Sequence, residues 1–402
     1  MSTRISTSPP AAADHYLVTF VGGFILLAAL GIGLAIDARQ AFLFLLGGAF
    51  GLTLFHASFG FTGGWRRFVQ ERRGRSLRAQ MLMVAAAALL FIPLLASDIS
   101  PWGRPLAGAF APVGTSVVVG AFLFGLGMQL GGGCASGTLF TVGGGQARML
   151  VVLAFFILGS LVGTAHLPWW LTQPSLSSIN LSKSFGWVPA LALTLGGLGL
   201  VALLSIWVEK RAHGMLEARS TPFPLTLRAW LFGPWSLTAA ALILAGLNAV
   251  TLFSAGHPWS VTYAFGLWGA KIAQAAGVAV GEWTFWSWPM QERALNASVL
   301  ADVTSVMNFG VILGAALAAG LAGKFAQGSA KLTLAPVVAA ILGGLLMGYG
   351  ARLSFGCNIG ALFGGIASGS VHGWVWFALA FLGSIVGMRL RPFFGLDGHK
   401  PT

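Results

Sequence analysis

Apolar stretches of roughly 20 residues recur along nearly the whole chain, and that is the length a helix needs to cross about 30 Å of hydrocarbon. Short polar or glycine-rich segments separate them. The pattern predicts spans over residues 16–36, 41–59, 79–96, 112–129, 148–171, 186–208, 236–254, 261–280, 302–322, 332–352 and 374–391. Two further segments, 134–145 and 357–369, are too short and too rich in glycine to cross. They are expected as re-entrant hairpins or half-helices, and because non-helical backbone survives at membrane depth only where protein or a water-filled cavity satisfies it, they should face inward. The first apolar run begins about fifteen residues in, after a proline-containing leader, and is too long for a signal-peptide core, so it is expected as a retained first helix.

Composition fixes the same environment independently. With 56% hydrophobic and 8% charged residues, a chain of 402 residues cannot hide its apolar surface in a water-soluble core. The formal charge of +13 matters mainly through its placement. Arg66, Arg67, Arg72, Arg73, Arg75 and Arg78 crowd one loop, and Lys210, Arg211, Arg219 and Arg228 another, so the positive-inside rule puts both in the cytoplasm, with four predicted spans between them. By the same count Arg389 and Arg391 fall outside. These cations alternate with spans and have no soluble domain to organise them, which argues against nucleic acid as a partner.

The chain also repeats itself. The pattern G-x-G-x-[QR]-L-x-x-G-C-x-x-G-x-L-F occurs from Gly125 to Phe140 and again from Gly348 to Phe363, and it holds the only two cysteines, Cys134 and Cys357. Ala49-Phe50-Gly51-Leu52 returns at Ala264–Leu267, and the Leu158–Gly163 segment at Leu382–Gly387. The separations are 223, 215 and 224 residues, so the order of elements is preserved. The expected fold is an all-α polytopic membrane protein of two pseudo-equivalent helical repeats with glycine-rich re-entrant Cys loops. Residues 1–208 would form the first repeat plus a connecting helix, 209–228 a cytoplasmic linker carrying Pro222 and Pro224, and 229–402 the second repeat; the leader and the tail after Phe394 read as short disordered ends. Matching elements lie six predicted spans apart, which predicts a parallel repeat about an axis along the membrane normal.

The repeated G-C-x-x-G, the Phe59-Gly60-Phe61-Thr62-Gly63-Gly64-Trp65-Arg66 turn, Gly266–Lys271 and Gly356-Cys357-Asn358-Ile359-Gly360 together resemble the YeeE/YedE family of bacterial inner-membrane proteins over nearly the whole chain. The resemblance implies uptake of thiosulfate or a related sulfur compound, passed through a central constriction by thiols that fall here on Cys134 and Cys357. Some relatives are associated with selenium instead, and others work beside a small TusA-like sulfur-carrier protein. Members of the family carry a further cysteine in the first-half turn, and here that position is Gly60.

The residues supply chemistry suited to such a task. A sulfur oxyanion must shed water in a dry neck, so the neck needs donors, and glycine turns with exposed backbone N–H groups provide them near Gly133 and Gly356. A thiol is a weak donor and weak acceptor, able to touch an anion without holding it. Ser136 and Asn358 lie inside the loops and can donate to substrate oxygens, although Asn also suits a tight turn. Lys271 falls within the predicted 261–280 span, where a cation needs a cavity or a partner, and the matched AFGL segments set His56 opposite it. Gln129 and Arg352 are repeat partners just before the cysteines, placed to guide an anion or, for the arginine, to anchor at the interface.

The alternatives for the cysteines are small buried hydrophobes, a disulfide, or a persulfide-forming sulfurtransferase site. No basic residue adjoins either in sequence, which disfavours the last. No phosphate loop, HExxH or nucleophile triad is present, so ATP hydrolysis, a metal and a cofactor have no sequence support.

Overall fold

The computed structural model describes residues 13–97, 99, 105–218, 226–327 and 333–397. Arg219, Pro222 and Pro224 of the expected linker, the leader up to residue 12 and the last five residues lie outside the described residues. In chain order the elements are α1 (His15–Ala35), α2 (Ala38–Ala57), α3 (Phe61–Glu71), α4 (Arg75–Ala96), β1 (Val113–Gly114), α5 (Thr115–Gly131), α6 (Ala135–Gly143), α7 (Ala147–Leu171), β2 (Ser175–Leu176), α8 (Leu181–Phe185) and α9 (Trp187–His213). There follow α10 (Leu227–Phe232), α11 (Leu237–Ala255), α12 (Thr262–Ala275), α13 (Pro289–Asn296), α14 (Val303–Leu321), α15 (Leu334–Leu353), a π-helical turn over Asn358–Phe363, α16 (Gly364–Ala367) and α17 (Val371–Leu390). The chain is a multi-pass, all-helical membrane protein. Ten segments among the described residues, built on α1, α2, α4, α5, α7, α9, α11, α14, α15 and α17, are long and apolar enough to cross.

Ten replaces the expected eleven because the apolar run 261–280 does not span. Its helix, α12, has 14 residues and stops at Ala276, where Gly277 takes φ +87° and turns the chain. A left-handed φ of this kind costs a glycine nothing but ends an α-helix.

Glycine also sets how the helices meet. Gly47 lies against Met307, Gly51 against Val311 and Gly314 against Gly48, so α2 and α14 run side by side in the same direction. Gly125 against Ala380 and Gly387 against Leu126 do the same for α5 and α17, as do Gly159 against Leu345 and Gly163 against Arg352 for α7 and α15. At the centre, however, Gly120 meets Gly350 and Gly127 meets Gly343, so α5 and α15 are antiparallel. These are the helices that lead into the two cysteine motifs. The expected parallel relation is therefore corrected. With 261–280 removed from the count, α15 is the fifth crossing after α5, and an odd number reverses direction.

The two basic loops come together on one face. Arg73 Nη1 and Arg78 Nη1 reach Glu209 at 3.3 and 2.7 Å, Arg67 Nη2 reaches Glu217 at 3.2 Å, and the backbone N–H groups of Gly74 and Glu217 also donate to Glu209. Four donors satisfy a carboxylate that is completely buried, as such a charge requires. By the positive-inside rule this face is cytoplasmic. Arg391 Nη1 donates to the Gln129 carbonyl at the same end of α5, 2.7 Å away, so the carboxy-terminal end lies on the cytoplasmic face and not outside as expected. The amino-terminal end joins it, since the Asp14 N–H donates to the Gly320 carbonyl at the end of α14. On the opposite face β1 pairs with β2, and Gln40 Nε2 reaches the Ala301 carbonyl.

Candidate functional site

α5 ends at Gly131, and Gly132, at φ +89°, reverses the chain so that Cys134 becomes the N-cap of α6. The Cys134 carbonyl accepts from the Thr138 N–H and hydroxyl at 2.7 and 2.9 Å, which fixes the first turn. Its sulfur lies 3.5 Å from Ser136 Oγ and close to the backbone N–H groups of Gly137 and Phe61. Phe61 is the first residue of α3, so the thiol sits where two helix amino termini converge, a setting that favours negative charge. Gly133 packs closely here, since a Cβ would stand 3.3 Å from the Gly137 carbonyl carbon and the Thr138 nitrogen.

A cavity of about 310 Å³ on the cytoplasmic face runs up to this thiol, lined by Gly60, Phe61, Thr62, Arg66, Gln80 and Cys134 among others. Thr62 Oγ1 is buried there without a hydrogen-bond partner. Nothing lies within 4 Å of where a Gly60 Cβ would project, so the turn has room for the thiol that the family resemblance leads one to look for.

The second motif hangs from the other end of the central pair. Cys357 caps the π-helical turn, its sulfur accepting from the Ile359 N–H at 3.4 Å, and it is completely buried. Gly356 has φ +150°, and a Cβ there would fall 2.7 Å from the Ala361 nitrogen, so the loop closes only on glycine. Asn358 is completely buried with neither side-chain amide atom partnered. Buried amides are nearly always hydrogen-bonded, and each orphan calls for a ligand or water. The two thiols are free and near enough to interact electrostatically. Cys134 is reached from the cytoplasmic side, whereas Cys357 follows the far end of α15.

Arg352, five residues before Cys357 in the second motif, is the least compensated cation of the site. Its guanidinium is held by the Thr262 carbonyl at 3.1 Å and stands 5.8 and 6.0 Å from the Tyr263 and Phe285 rings. Nε has no partner, nor does the Tyr263 hydroxyl, and among the described residues no carboxylate pairs with it. Gln129, its repeat counterpart, is neutral and tied down: Nε2 donates to the Thr62 carbonyl and Ser384 Oγ, leaving Oε1 unpartnered.

Lys271 is differently engaged. Its Nζ donates to the Leu295 and Ala297 carbonyls, both at 2.7 Å, and so caps the carboxy-terminal end of α13. Burial lowers the pKa of this ammonium, with Asp302 acting in the opposite direction. Since α12 does not span, the premise that put this lysine in a crossing helix is gone. His56 lies at the cytoplasmic end of α2, away from Lys271, in a second cavity with Lys324. Tyr263, Thr62 and Lys324 escaped the sequence reading. A lone lysine past the end of an apolar run looks like an interfacial anchor, and nothing local marks the other two. Among the described residues no group of three or more His, Cys, Asp or Glu is placed to hold a metal ion. What the site offers is donors, weak sulfur contacts and unpaired positive charge.

The family described as sulphur transport matches residues 56–386. Similar proteins include the probable transporter YedE of Escherichia coli (strain K12), 33% identical over 169 residues, which are 41% of this chain and 41% of that protein. The thiosulfate transporter TsuA of Spirochaeta thermophila is 30% identical over 282 residues, 66% of this chain and 74% of its own length. The thiosulfate transporter TsuA of Escherichia coli (strain K12) is 22% identical over 347 residues, 84% of this chain and 90% of its own length. Against the YedE relatives the match spans about two fifths of their length.

Proposed function

This chain belongs to the sulphur-transport family, and from that premise we propose that it is an inner-membrane permease for thiosulfate or a closely related sulfur oxyanion. The observation that carries the reading is the pair of thiol turns at opposite ends of the antiparallel α5–α15 pair, each bordered by an unsatisfied polar group, Thr62 beside Cys134 and Asn358 beside Cys357. The anion enters beneath Arg352, exchanges water for the Asn358 amide and the Cys357 turn, passes to the Cys134 thiol and the Phe61 and Gly137 N–H groups, and leaves through the cytoplasmic cavity. Each contact is weak by itself. That suits a path in which release matters as much as binding. The two halves, 1–208 and 229–402, act as opposed units joined by 209–228. A TusA-like carrier docks at the cytoplasmic mouth, an association that copurification would reveal.

Purified protein in proteoliposomes should accumulate labelled thiosulfate. Cys134→Ala and Cys357→Ala each should lower the initial rate by at least about tenfold while the protein stays folded, since thiol-to-methyl removes little volume. Near-normal uptake by the double variant would reject the thiol path. Competition by a selenium oxyanion stronger than that by thiosulfate would move the substrate to selenium.

A further inference from the structure

On the outer flank of the molecule α9 and α17 both run toward the cytoplasmic face and wall a groove of about 460 Å³, floored by Phe68 of α3 and Leu77 of α4. Apart from Ser205, whose hydroxyl donates to the Ala202 carbonyl at 2.7 Å, its lining is aliphatic or aromatic. The deep end is closed where the Trp374 indole packs on Gly197, 2.8 Å from the position a Cβ would take there. Leu204 on one wall and Leu382 on the other are 52% and 53% exposed. Seven residues past each stands an exposed arginine, Arg211 after Leu204 and Arg389 after Leu382. Seven residues carry an α-helix to within about 20° of two full turns and advance it about 10 Å. Both arginines therefore leave their helices on the face that lines the groove, nearer the cytoplasm. The Arg211 guanidinium lies over the exposed Trp207 ring, 5.2 Å from its centroid, the kind of aromatic that marks the membrane interface. The ion pairs among the described residues engage Arg67, Arg73, Arg78 and Arg391, and leave Arg211 and Arg389 without a carboxylate.

We propose that this groove holds an anionic phospholipid of the cytoplasmic leaflet, with an acyl chain along Val201, Leu204, Phe377 and Phe381 and the phosphate between Arg211 and Arg389. The depth fits. Gly197, Leu204 and Arg211 are evenly spaced on α9, so the closed end lies about 21 Å from the level of Arg211, and half a bilayer with its headgroups is about 20–22 Å. With the arginines at headgroup depth, Trp374 stands near the midplane, and a lipid of one leaflet fills the groove from end to end. The apolar walls accept any acyl chain, so selection falls to the two cations. A zwitterionic headgroup brings its own positive charge to them and gains less. A second copy of this chain is the poorer occupant, because a two-fold contact through the groove would set the same arginines against each other. The site is independent of the transported substrate.

The test is native mass spectrometry of the detergent-purified full chain, titrated with phosphatidylglycerol or with phosphatidylcholine of the same acyl chains. The wild type should retain one phosphatidylglycerol more tightly than any phosphatidylcholine. Arg211→Gln and Arg389→Gln should each weaken that first site about fivefold and the double variant about 25-fold, the weight of one cation near a charged lipid taken once and then twice. Ala378→Trp, which puts an indole into the groove and keeps both arginines, should weaken it as well. Arg228→Gln with Lys324→Gln removes the same charge beside the His56 cavity, on other elements of the same face, and should leave retention unchanged. If a double variant is not monodisperse, its single substitutions carry the same comparison. Equal retention of the two lipids by the wild type overturns the site. So does a loss in the Arg228 and Lys324 variant as large as in the Arg211 and Arg389 variant, since the preference would then belong to the whole face. A lipid-free dimer that Ala378→Trp splits into monomers also overturns it and gives the groove to a second copy.

Discussion

At the residue scale the two cysteines were legible in the sequence, because a rare residue at matching places in a repeated glycine turn needs no geometry to be noticed. Arg352 was legible as a cation near the neck, but its importance comes from what surrounds it. A guanidinium buried between two rings with one carbonyl bond and no counter-ion destabilises the protein that holds it. Replacing it with an apolar chain of similar length should therefore leave stability unchanged or improved. Arg352→Met is expected to keep or raise the thermal midpoint of the purified protein while lowering uptake at sub-saturating thiosulfate by about tenfold, the weight of one lost charge–anion contact. A lower midpoint together with unaltered uptake would make the arginine purely structural. Tyr263, whose hydroxyl waits unpartnered beside it, comes from a neighbouring helix, and no spacing along the chain announces such a meeting. Lys271 illustrates the opposite failure: hydropathy placed it in a span, and α13, which the reading did not foresee, supplies the carbonyls it caps.

At the element scale, the long helices follow hydropathy closely, because a crossing helix is specified by length and apolarity alone. Hydropathy could not see where an apolar run stops being helical, and Gly277 breaks 261–280 without changing its average. Nor does it say which glycines are contacts. A Cβ at Gly125 would strike the backbone of Ala380, whereas nothing lies within 4 Å of one at Gly22. Both sit inside apolar helices, and hydropathy treats them alike. Gly125→Leu should cost about 3 kcal/mol or more, since backbone cannot move aside as a side chain does, and should leave little monodisperse protein on size-exclusion chromatography. Gly22→Leu should behave as the wild type. Equal yields from the two would mean that α5 and α17 do not meet backbone to backbone.

At the scale of the whole molecule, the ten crossings among the described residues bring Asp14 and Arg391 to the same arginine-rich face. A fluorescent protein fused at the carboxy terminus should therefore be bright, and alkaline phosphatase fused at the same place inactive; an active phosphatase would restore the eleventh span. Hydropathy differs from this result by one element, and that element inverted the parity relations that cross it while leaving the shared face of the two basic loops as expected. The antiparallel central pair has a further effect. Each long helix carries a macrodipole equivalent to about half an elementary charge at either end, and two lying side by side in opposite senses largely cancel. The backbone at the heart of the protein thus sets up little field along the membrane normal. On the proposed path an anion meets local wells at the two thiol turns but no slope from the paired helices between them, so net flow follows its concentrations on the two sides and the membrane potential, worth about 2.3 kcal/mol per elementary charge per 100 mV. On that proposal, with the cell interior negative, a cell that stopped consuming the sulfur would see the anion drain back through the same protein.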